Sequence, residues 1–548
     1  MKSGVMVKAI GVAATIALCV FAIYPIGSVL KLSFLQENGD LGFGNFVYYT
    51  RYPGFIDALW HTLNISLWAT LITVVLAYGF CFALCQTCVP WKNVWRAIIM
   101  LPLIVPSLMQ ALGVQFILGR NGIMNQYFGT DFDVYGFQGI LISNVVYALP
   151  HAFLVLQVAL AASSAQHYEA AQLLGADGRR MFLSITLPNS GYGILSAAFL
   201  VFAINISEFG NPMVIGGDYN VLATEIYNQV VGQANLNMGA VIGVFLLVPV
   251  MLTVLVEQYL ARRQSLIADA RNVTYSPKPN RWLDRWFLLY VGIIALVICA
   301  IVVVVIISSI SKLWPYDLTP TLAHFNIGAS SLFEVLANSV KMSLLAAVLG
   351  GVLVTMLAWA ANSLKPMASK IIYALAILPA SIPGMIIGFG YALGFSTTDM
   401  FSGSIFGVIL LMSICTVYHY HAQAFSILTN RMKQIDRSLD QASFILGASS
   451  WRTFQKVTLP LIWPAIATVM VFYFIQGMVT LSALIFLVTP QASLAAVSVL
   501  TLNDTGQLAQ AAAMSTMIML IILLIWVTVQ VAMTKMGRKT MSKILHGF

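Results

Sequence analysis

Charged residues are scarce in this sequence. Asp, Glu, Lys and Arg together make up 9% of its 548 residues, whereas soluble globular domains carry about 25%. That scarcity excludes an ordinary soluble domain. Hydrophobic residues make up 59% of the chain, and its mean hydropathy is +0.88. Apolar windows of about twenty residues recur throughout, and each can cross a bilayer as a helix. The composition therefore predicts a polytopic membrane protein.

Several chemical signatures are missing as well. No Gly-x4-Gly-Lys-Ser/Thr phosphate loop occurs, so the chain is not expected to bind or hydrolyse ATP itself. The six cysteines form no disulfide framework. Cys81, Cys85 and Cys88 have an iron–sulfur-like spacing, but they lie in an apolar span where buried free thiols are the simpler interpretation. The sequence predicts no catalytic residue, no metal site and no cofactor in this chain.

The apolar runs predict an all-α fold of twelve transmembrane helices in two sets of six. The first run lacks a clear small-x-small cleavage site, so it is interpreted as an uncleaved first helix. The predicted spans are 8–30, 58–87, 95–118, 137–161, 192–215 and 238–261, followed by 286–310, 335–362, 369–394, 403–427, 461–488 and 511–534.

The 28 Lys and Arg residues set the predicted orientation. Most of them fall in the segments on one side of the membrane, and basic loops stay in the cytoplasm. Both termini are therefore predicted to be cytoplasmic. The formal net charge of +9 is explained by this topology, and no nucleic-acid partner is predicted.

A proline pair marks an internal repeat. Pro102 and Pro106 in the third helix correspond to Pro379 and Pro383 in the ninth, with the same sequence offset in both cases. Prolines inside helices remove backbone hydrogen bonds, so both pairs predict kinks.

A polar stretch marks the same repeat again. Residues 168–188 match residues 440–460 at nearly the same offset as the proline pairs. Each half has an even number of spans, so the two repeats are parallel. The predicted organisation is a first module at 1–261 with a polar loop at 162–190, a cytoplasmic linker at 262–285, and a second module at 286–548 with a polar loop at 428–460.

Each polar stretch predicts a helix–turn–helix on the cytoplasmic side. Residues 167–174 favour a helix that Gly175 can end, and Pro188 limits the second short helix. Apolar residues such as Leu173 and Leu174 meet no lipid there. They can be buried only against a protein partner or against the ends of the chain's own helices. Two loops with one pattern at the same topological place favour a docking site over a loop packed on itself.

The first loop reads Glu-Ala-Ala-x3-Gly-x9-Ile-x-Leu-Pro. This pattern resembles the signature loop of the permease subunits of binding-protein-dependent type I ABC importers. In that family the loop forms a coupling helix that docks on the ATP-hydrolysing subunit. The resemblance assigns this role to Glu169, Ala170, Ala171, Gly175, Leu187 and Pro188, and to Gln441, Ala442, Gly447, Leu459 and Pro460. Gln441 replaces the acidic residue, which puts an ionic role in the second loop in doubt.

The resemblance also implies the rest of the transport system. It implies a bacterial inner-membrane permease whose fused halves replace a dimer, with two ATPase subunits that carry ATP and magnesium, and a periplasmic substrate-binding protein. The fused layout resembles the branch that imports ferric iron, phosphonates or phosphorylated organic compounds, and thiamine permeases share it. An ion-coupled secondary transporter with two parallel halves is the rival class.

Substrate-path candidates come from the few polar residues inside the spans. Glu208 is ionisable within a predicted span, which indicates a cavity or a partner. Asn205 precedes it, and Gly210 follows where the helix can break. Lys341 lies near the outer start of the eighth helix. A structural Glu208 paired with a helix-end base such as Lys341 is the equal alternative, and the two opposite charges leave the substrate open.

Two histidines in the tenth helix are candidate metal ligands. His419 and His421 lie two positions apart and so point to different sides of one helix. One helix cannot chelate a metal with both, and polar packing between helices is favoured.

Overall fold

The structure, a computed structural model, describes residues 2–36, 38–161, 165–267, 275–326, 329–396, 398, 401 and 403–545. The first residues of the predicted polar loop, 162–164, and the centre of the predicted linker, 268–274, lie outside these ranges.

Within the described ranges, nine helices are long and apolar enough to cross a membrane, and the number reaches the predicted twelve when each of three bent helix pairs counts as one span. Two of these pairs bend by 102° and 103° next to Pro106 and Pro383, where the proline pairs predicted kinks. The third pair bends by 57° at Tyr420, where no proline predicted a kink.

The described chain packs as two units. The larger unit contains Gln36–Asn326 and Val499–Thr516, and the smaller contains Met1–Leu35, Ile327–Ser498 and Met517–Phe548. These units differ from the predicted modules 1–261 and 286–548, because the first helix of each repeat packs in the unit built by the other repeat. The module boundaries themselves remain a prediction about the sequence repeat.

Specific hydrogen bonds hold each exchanged helix. In the smaller unit, the Tyr391 hydroxyl donates to the Phe21 carbonyl at 2.6 Å. In the larger unit, the Tyr290 hydroxyl donates to the Leu76 carbonyl at 2.9 Å, and the Asp284 carboxylate accepts from the Cys88 amide at 2.8 Å.

The helices and strands of the larger unit follow the first repeat. Its only strands among the described residues form a short antiparallel hairpin, which was not predicted. Its elements are Gly44–Thr50, Pro53–Gln86, Lys92–Met100, Leu101–Leu103, Ser107–Leu118, Ile123–Phe128, Phe137–Ala161, Ala165–Leu173, Gly178–Met181, Phe182–Thr186, Leu187–Ile206, Gly210–Ile215, Leu222–Tyr227, Asn228–Gly232, Leu236–Ile267, Arg281–Ile310, the strands Ser311–Leu313 and Asp317–Pro320, and Ala323–Phe325.

The smaller unit follows the second repeat, with the N-terminal helix added. The helices Ala495–Asp504 and Leu508–Leu545 are each divided between the two units. The remaining elements are Lys2–Leu18, Cys19–Ile23, Tyr24–Phe34, Ala329–Ser363, Pro366–Ile377, Leu378–Ser381, Gly384–Phe395, Ile405–His419, His421–Lys433, Arg437–Ile445, Ser450–Thr453, Phe454–Thr458 and Leu459–Val479.

Two predicted spans end earlier than expected. The span predicted at 192–215 ends at Ile206, and a separate short helix starts at Gly210. The span predicted at 461–488 ends at Val479 and is followed by turns. Hydropathy shows that a segment is apolar, but it does not distinguish a continuous helix from a broken one.

Candidate functional site: two matching surface knobs

The first polar loop forms a helix–turn–helix, called the first knob here (residues 165–186). Its helix Ala165–Leu173 is closed by Gly175, whose φ of +76° suits glycine. The Ala176 amide donates to the Ala171 carbonyl at 2.9 Å, and the Gly175 amide donates to the Gln172 carbonyl at 3.0 Å. These two bonds satisfy carbonyls that the helix end would otherwise leave unpaired.

The inner side of the first knob is held by polar and aromatic contacts. Tyr168 is buried, and its hydroxyl lies 2.9 Å from the Thr186 Oγ1 atom. The Tyr168 ring stacks on Tyr275 with ring centroids 4.2 Å apart. Burial raises the pKa of the Tyr275 hydroxyl, so it stays protonated, and it accepts a bond from Gln172 at 3.2 Å.

The second polar loop repeats this backbone as the second knob (residues 437–458). Gly447 has a φ of +75°, and the Ala448 amide donates to the Ser443 carbonyl at 3.1 Å. The residue that caps the next short helix is also matched. Asp177 accepts from the Arg180 amide, and Ser449, at the equivalent position of the second knob, accepts from the Arg452 amide.

The second knob is anchored by aromatic packing. Phe454 is 1% exposed, and its ring centroid lies 4.5 Å from that of Trp359. At the start of this knob, Asp436 caps the helix Arg437–Ile445 through the Ser438 amide. Hydrogen bonds from Ser438 lower the pKa of the Asp436 carboxyl. It is therefore charged at neutral pH and stabilises the helix N-terminus.

The tips of both knobs expose large apolar side chains. Leu173 and Leu174 are 90% and 87% exposed, and the matching residues Ile445 and Leu446 are 82% and 85% exposed. Phe444 adds a third exposed apolar side chain to the second tip. Contiguous exposed apolar residues on a rigid support mark an interaction surface.

The predicted coupling residues all lie in the knobs or at the start of the helix that follows. Most of these side chains are exposed, while Ala171 and Leu459 are half-buried. Their contact with a partner remains a prediction. The sequence argument named Leu173 and Leu174 as needing a partner but missed Phe444, Ile445 and Leu446. The residue-by-residue correspondence of the two polar stretches was the signal that could have found them.

Gly175→Ala and Gly447→Ala are expected to loosen their knobs. A side chain in the left-handed region costs about 1–2 kcal/mol, so the Ala176 or Ala448 amide should exchange with deuterium about tenfold faster. Hydrogen exchange measured by mass spectrometry checks this. Gly178→Ala is the matched control, because Gly178 has open space around its Cβ position and no positive φ. Equal exchange in all three variants contradicts the expectation.

The candidate Glu208 caps a helix inside the bundle. Its Oε1 atom accepts from the Gly210 amide at 3.0 Å and the Asn211 amide at 3.3 Å, and Ser107 also donates to the carboxyl group. Glu208 is 9% exposed. These bonds give Glu208 a structural role at the helix break, whatever its part in transport.

The other polar candidates differ in their surroundings. Asn205 is 3% exposed, and neither the Nδ2 nor the Oδ1 atom of its side chain has a hydrogen-bond partner among the described residues. Lys341 is exposed and lies in the smaller unit. The sequence missed Glu257, a half-buried carboxylate that accepts from Ser196 at 3.1 Å.

The two histidines of the tenth span have different aromatic neighbours. His419 packs edge-on against Tyr420, with ring centroids 4.3 Å apart. His421 stacks near Tyr418 and Phe425. Among the described residues, no group of three His, Cys, Asp or Glu side chains is placed to hold a metal ion.

The chain has up to twelve candidate spans in two repeats, and each repeat carries one knob. This arrangement defines a polytopic transport permease. The family model of the binding-protein-dependent transport system inner membrane component matches residues 89–266 and again residues 347–541. These matches cover more than half of the chain, and the chain belongs to this family. It therefore consists of two permease modules fused in one polypeptide, which decides against the ion-coupled rival.

Curated relatives share the fused layout. The chain is 27% identical to the putative ferric transport system permease protein FbpB 1 of Haemophilus influenzae, over 79% of this chain and 70% of the relative. It is 27% identical to the ferric transport system permease protein FbpB of Actinobacillus pleuropneumoniae, over 82% and 67%. It is 24% identical to the thiamine transport system permease protein ThiP of Escherichia coli, over 73% and 75%.

Proposed function

We propose that this protein is the membrane permease of an ATP-driven importer and that each knob docks on one of two ATPase subunits. This proposal rests on the exposed apolar tips of the two knobs, whose backbones match. The chain has no phosphate loop of its own, so the partner supplies ATP hydrolysis, ATP and magnesium. Both knobs and both termini lie on the cytoplasmic side of a bacterial inner membrane.

Each knob continues directly into a long helix of its unit. The first runs through the π-helical segment Phe182–Thr186 into Leu187–Ile206, and the second through Phe454–Thr458 into Leu459–Val479. A helix of 20 residues is about 30 Å long at 1.5 Å per residue. ATP-driven closure of the ATPases thus moves the knobs, and these helices carry the movement into the bundle for alternating access.

We propose ferric iron as the transported substrate, delivered by a periplasmic binding protein. Support comes from the two relatives named as ferric transport permeases, which match more of this chain at higher identity than ThiP of Escherichia coli does.

Reconstitution tests both parts of the proposal. The full chain is placed in liposomes with its candidate ATPase and binding protein, and uptake of ferric iron, thiamine and a phosphonate is measured. ATP-dependent uptake of ferric iron alone supports the proposal. Uptake of thiamine or phosphonate replaces the substrate but keeps the importer function. Uptake that persists without the ATPase overturns the importer function.

The two knobs are expected to be unequal. Glu169→Gln should reduce transport-coupled ATPase activity more than Gln441→Ala, because only the first knob presents a carboxylate at this exposed position. ATP hydrolysis and uptake are measured in the same liposomes. The reverse substitution, Gln441→Glu, controls for tolerance of a charge there. Equal losses in the two knobs contradict the asymmetry.

A further inference from the structure

In the larger unit, Ser107 and Gly210 approach each other closely, and this close approach of two helix starts is called a crossing here. Ser107 begins the second half of a broken span, directly after Pro106. Gly210 begins the short helix that follows Leu187–Ile206. A Cβ atom placed on Gly210 would lie 2.6 Å from the Ser107 Oγ atom. Real Cβ atoms do not approach so closely, so a side chain at Gly210 requires the Ser107 hydroxyl to move away.

The smaller unit contains a second crossing, at which a glycine and a serine approach just as closely. Gly384 begins the second half of the other broken span, directly after Pro383. A Cβ atom placed on Gly384 would lie 2.4 Å from the Ser482 Oγ atom. Ser482 follows the end of Leu459–Val479, as Gly210 follows the end of Leu187–Ile206.

The repeat offsets show that these are equivalent positions. The offset between the two proline pairs places Ser107 on Gly384, and the offset between the two knobs places Gly210 on Ser482. Neither offset was set by these four residues. The same crossing therefore occurs in both repeats with the serine and the glycine exchanged.

We infer that these serine–glycine pairs are one inherited contact at which the helix that follows each knob engages the broken span. The shared space admits a single hydroxymethyl group, and either helix can supply it. The crossing lies at the far end of the helix that starts at the knob, so movement of the knob reaches the broken span at this point. This mechanical role rests on the proposed docking of ATPases, whereas the steric pairing does not.

Each crossing also lies near an ionisable side chain within the bundle. Ser107 hydrogen-bonds to the Glu208 carboxyl group. A Cβ atom on Gly384 would lie 3.2 Å from the His419 Nε2 atom, so His419 borders the other crossing. A second serine at either crossing forces the resident hydroxyl to rotate away from this position. Ser107, Gly210, Gly384 and Ser482 are thus positioning residues.

Exchange variants test the inference. Gly210→Ser and Gly384→Ser are expected to lower the melting temperature of the detergent-solubilised full chain and to reduce ATP-coupled uptake about tenfold, because overpacking strains a tight contact. The exchanges Ser107→Gly/Gly210→Ser and Gly384→Ser/Ser482→Gly are expected to restore both. Gly191→Ser is the control, since Gly191 lies in the preceding helix Leu187–Ile206 with open space around its Cβ position.

The two readouts separate the two claims. Restored melting temperature with restored uptake per ATP supports the whole inference. Restored melting temperature with persistently low uptake per ATP overturns the mechanical role and keeps the steric pairing. Single variants as stable as Gly191→Ser, or exchanges that restore nothing, overturn the pairing. If no substrate is taken up by the unaltered protein, the proposed function has failed, and the melting temperatures still decide the pairing.

Discussion

Replacing Leu173 and Leu174 with serine is expected to weaken the protein's binding to its ATPase at the first knob by about a hundredfold or more. Burying a leucine side chain contributes about 1.5–3 kcal/mol, and each 1.4 kcal/mol is about tenfold in affinity. Both leucines are almost fully exposed in the isolated chain, so their burial is available to a partner. The same substitutions at Ile445 and Leu446 remove the second contact, and the fourfold variant should not copurify with the ATPase.

Copurification and stimulated ATP hydrolysis in detergent measure this effect. Leu322→Ser is the matched control, because Leu322 is 74% exposed in the larger unit and lies outside both knobs. Neither tip is buried against its own unit, so the variants should keep the melting temperature of the unaltered chain. Unchanged ATPase binding by the fourfold variant would remove the knobs as docking surfaces.

Glu208→Leu is expected to abolish transport and destabilise the larger unit, whereas Glu208→Gln should retain both transport and stability. The leucine leaves the Gly210 and Asn211 amides without their acceptor. Each buried unpaired group costs about 1–3 kcal/mol. A glutamine still offers a carbonyl oxygen at the same position, so the cap survives without the charge.

This pair of variants separates the cap from a role in binding substrate. If the Glu208 charge contacts ferric iron during transport, Glu208→Gln loses uptake as completely as Glu208→Leu while its melting temperature stays normal. Glu257→Gln serves as the control, since Glu257 is another carboxylate of the larger unit that accepts from a serine. Uptake and melting temperature are measured on the same preparations.

Local patterns predicted the local structure well. Gly175 and Gly447 close their helices with φ values of +76° and +75°, as residues that can end a helix should. Pro106 and Pro383 lie at the two sharpest bends. In each case a single residue type sets the backbone through its own steric properties. The bend at Tyr420 has no such residue, and the sequence did not reveal it.

The roles of Glu208 and of the tip residues depend on their surroundings. The sequence could identify Glu208 as an ionisable group in a span, but the amides that it accepts from are defined only once the helix ends at Ile206. Phe444 and Ile445 read as ordinary apolar residues of a short helix. Their exposure became visible when the fold showed which face of the second knob packs on Trp359.

The sequence by itself determined the membrane class, the twelve spans, the two repeats and the shape of both knobs, because hydropathy, proline and glycine act over a few neighbouring residues. Only the tertiary structure decided that the first helix of each repeat packs in the other repeat's unit and that Ser107 meets Gly210 as Ser482 meets Gly384. Lipid and neighbouring helices are both apolar surroundings, so hydropathy does not encode which helix packs on which. Those contacts depend on how the side chains of neighbouring helices fit together, which only the folded chain shows.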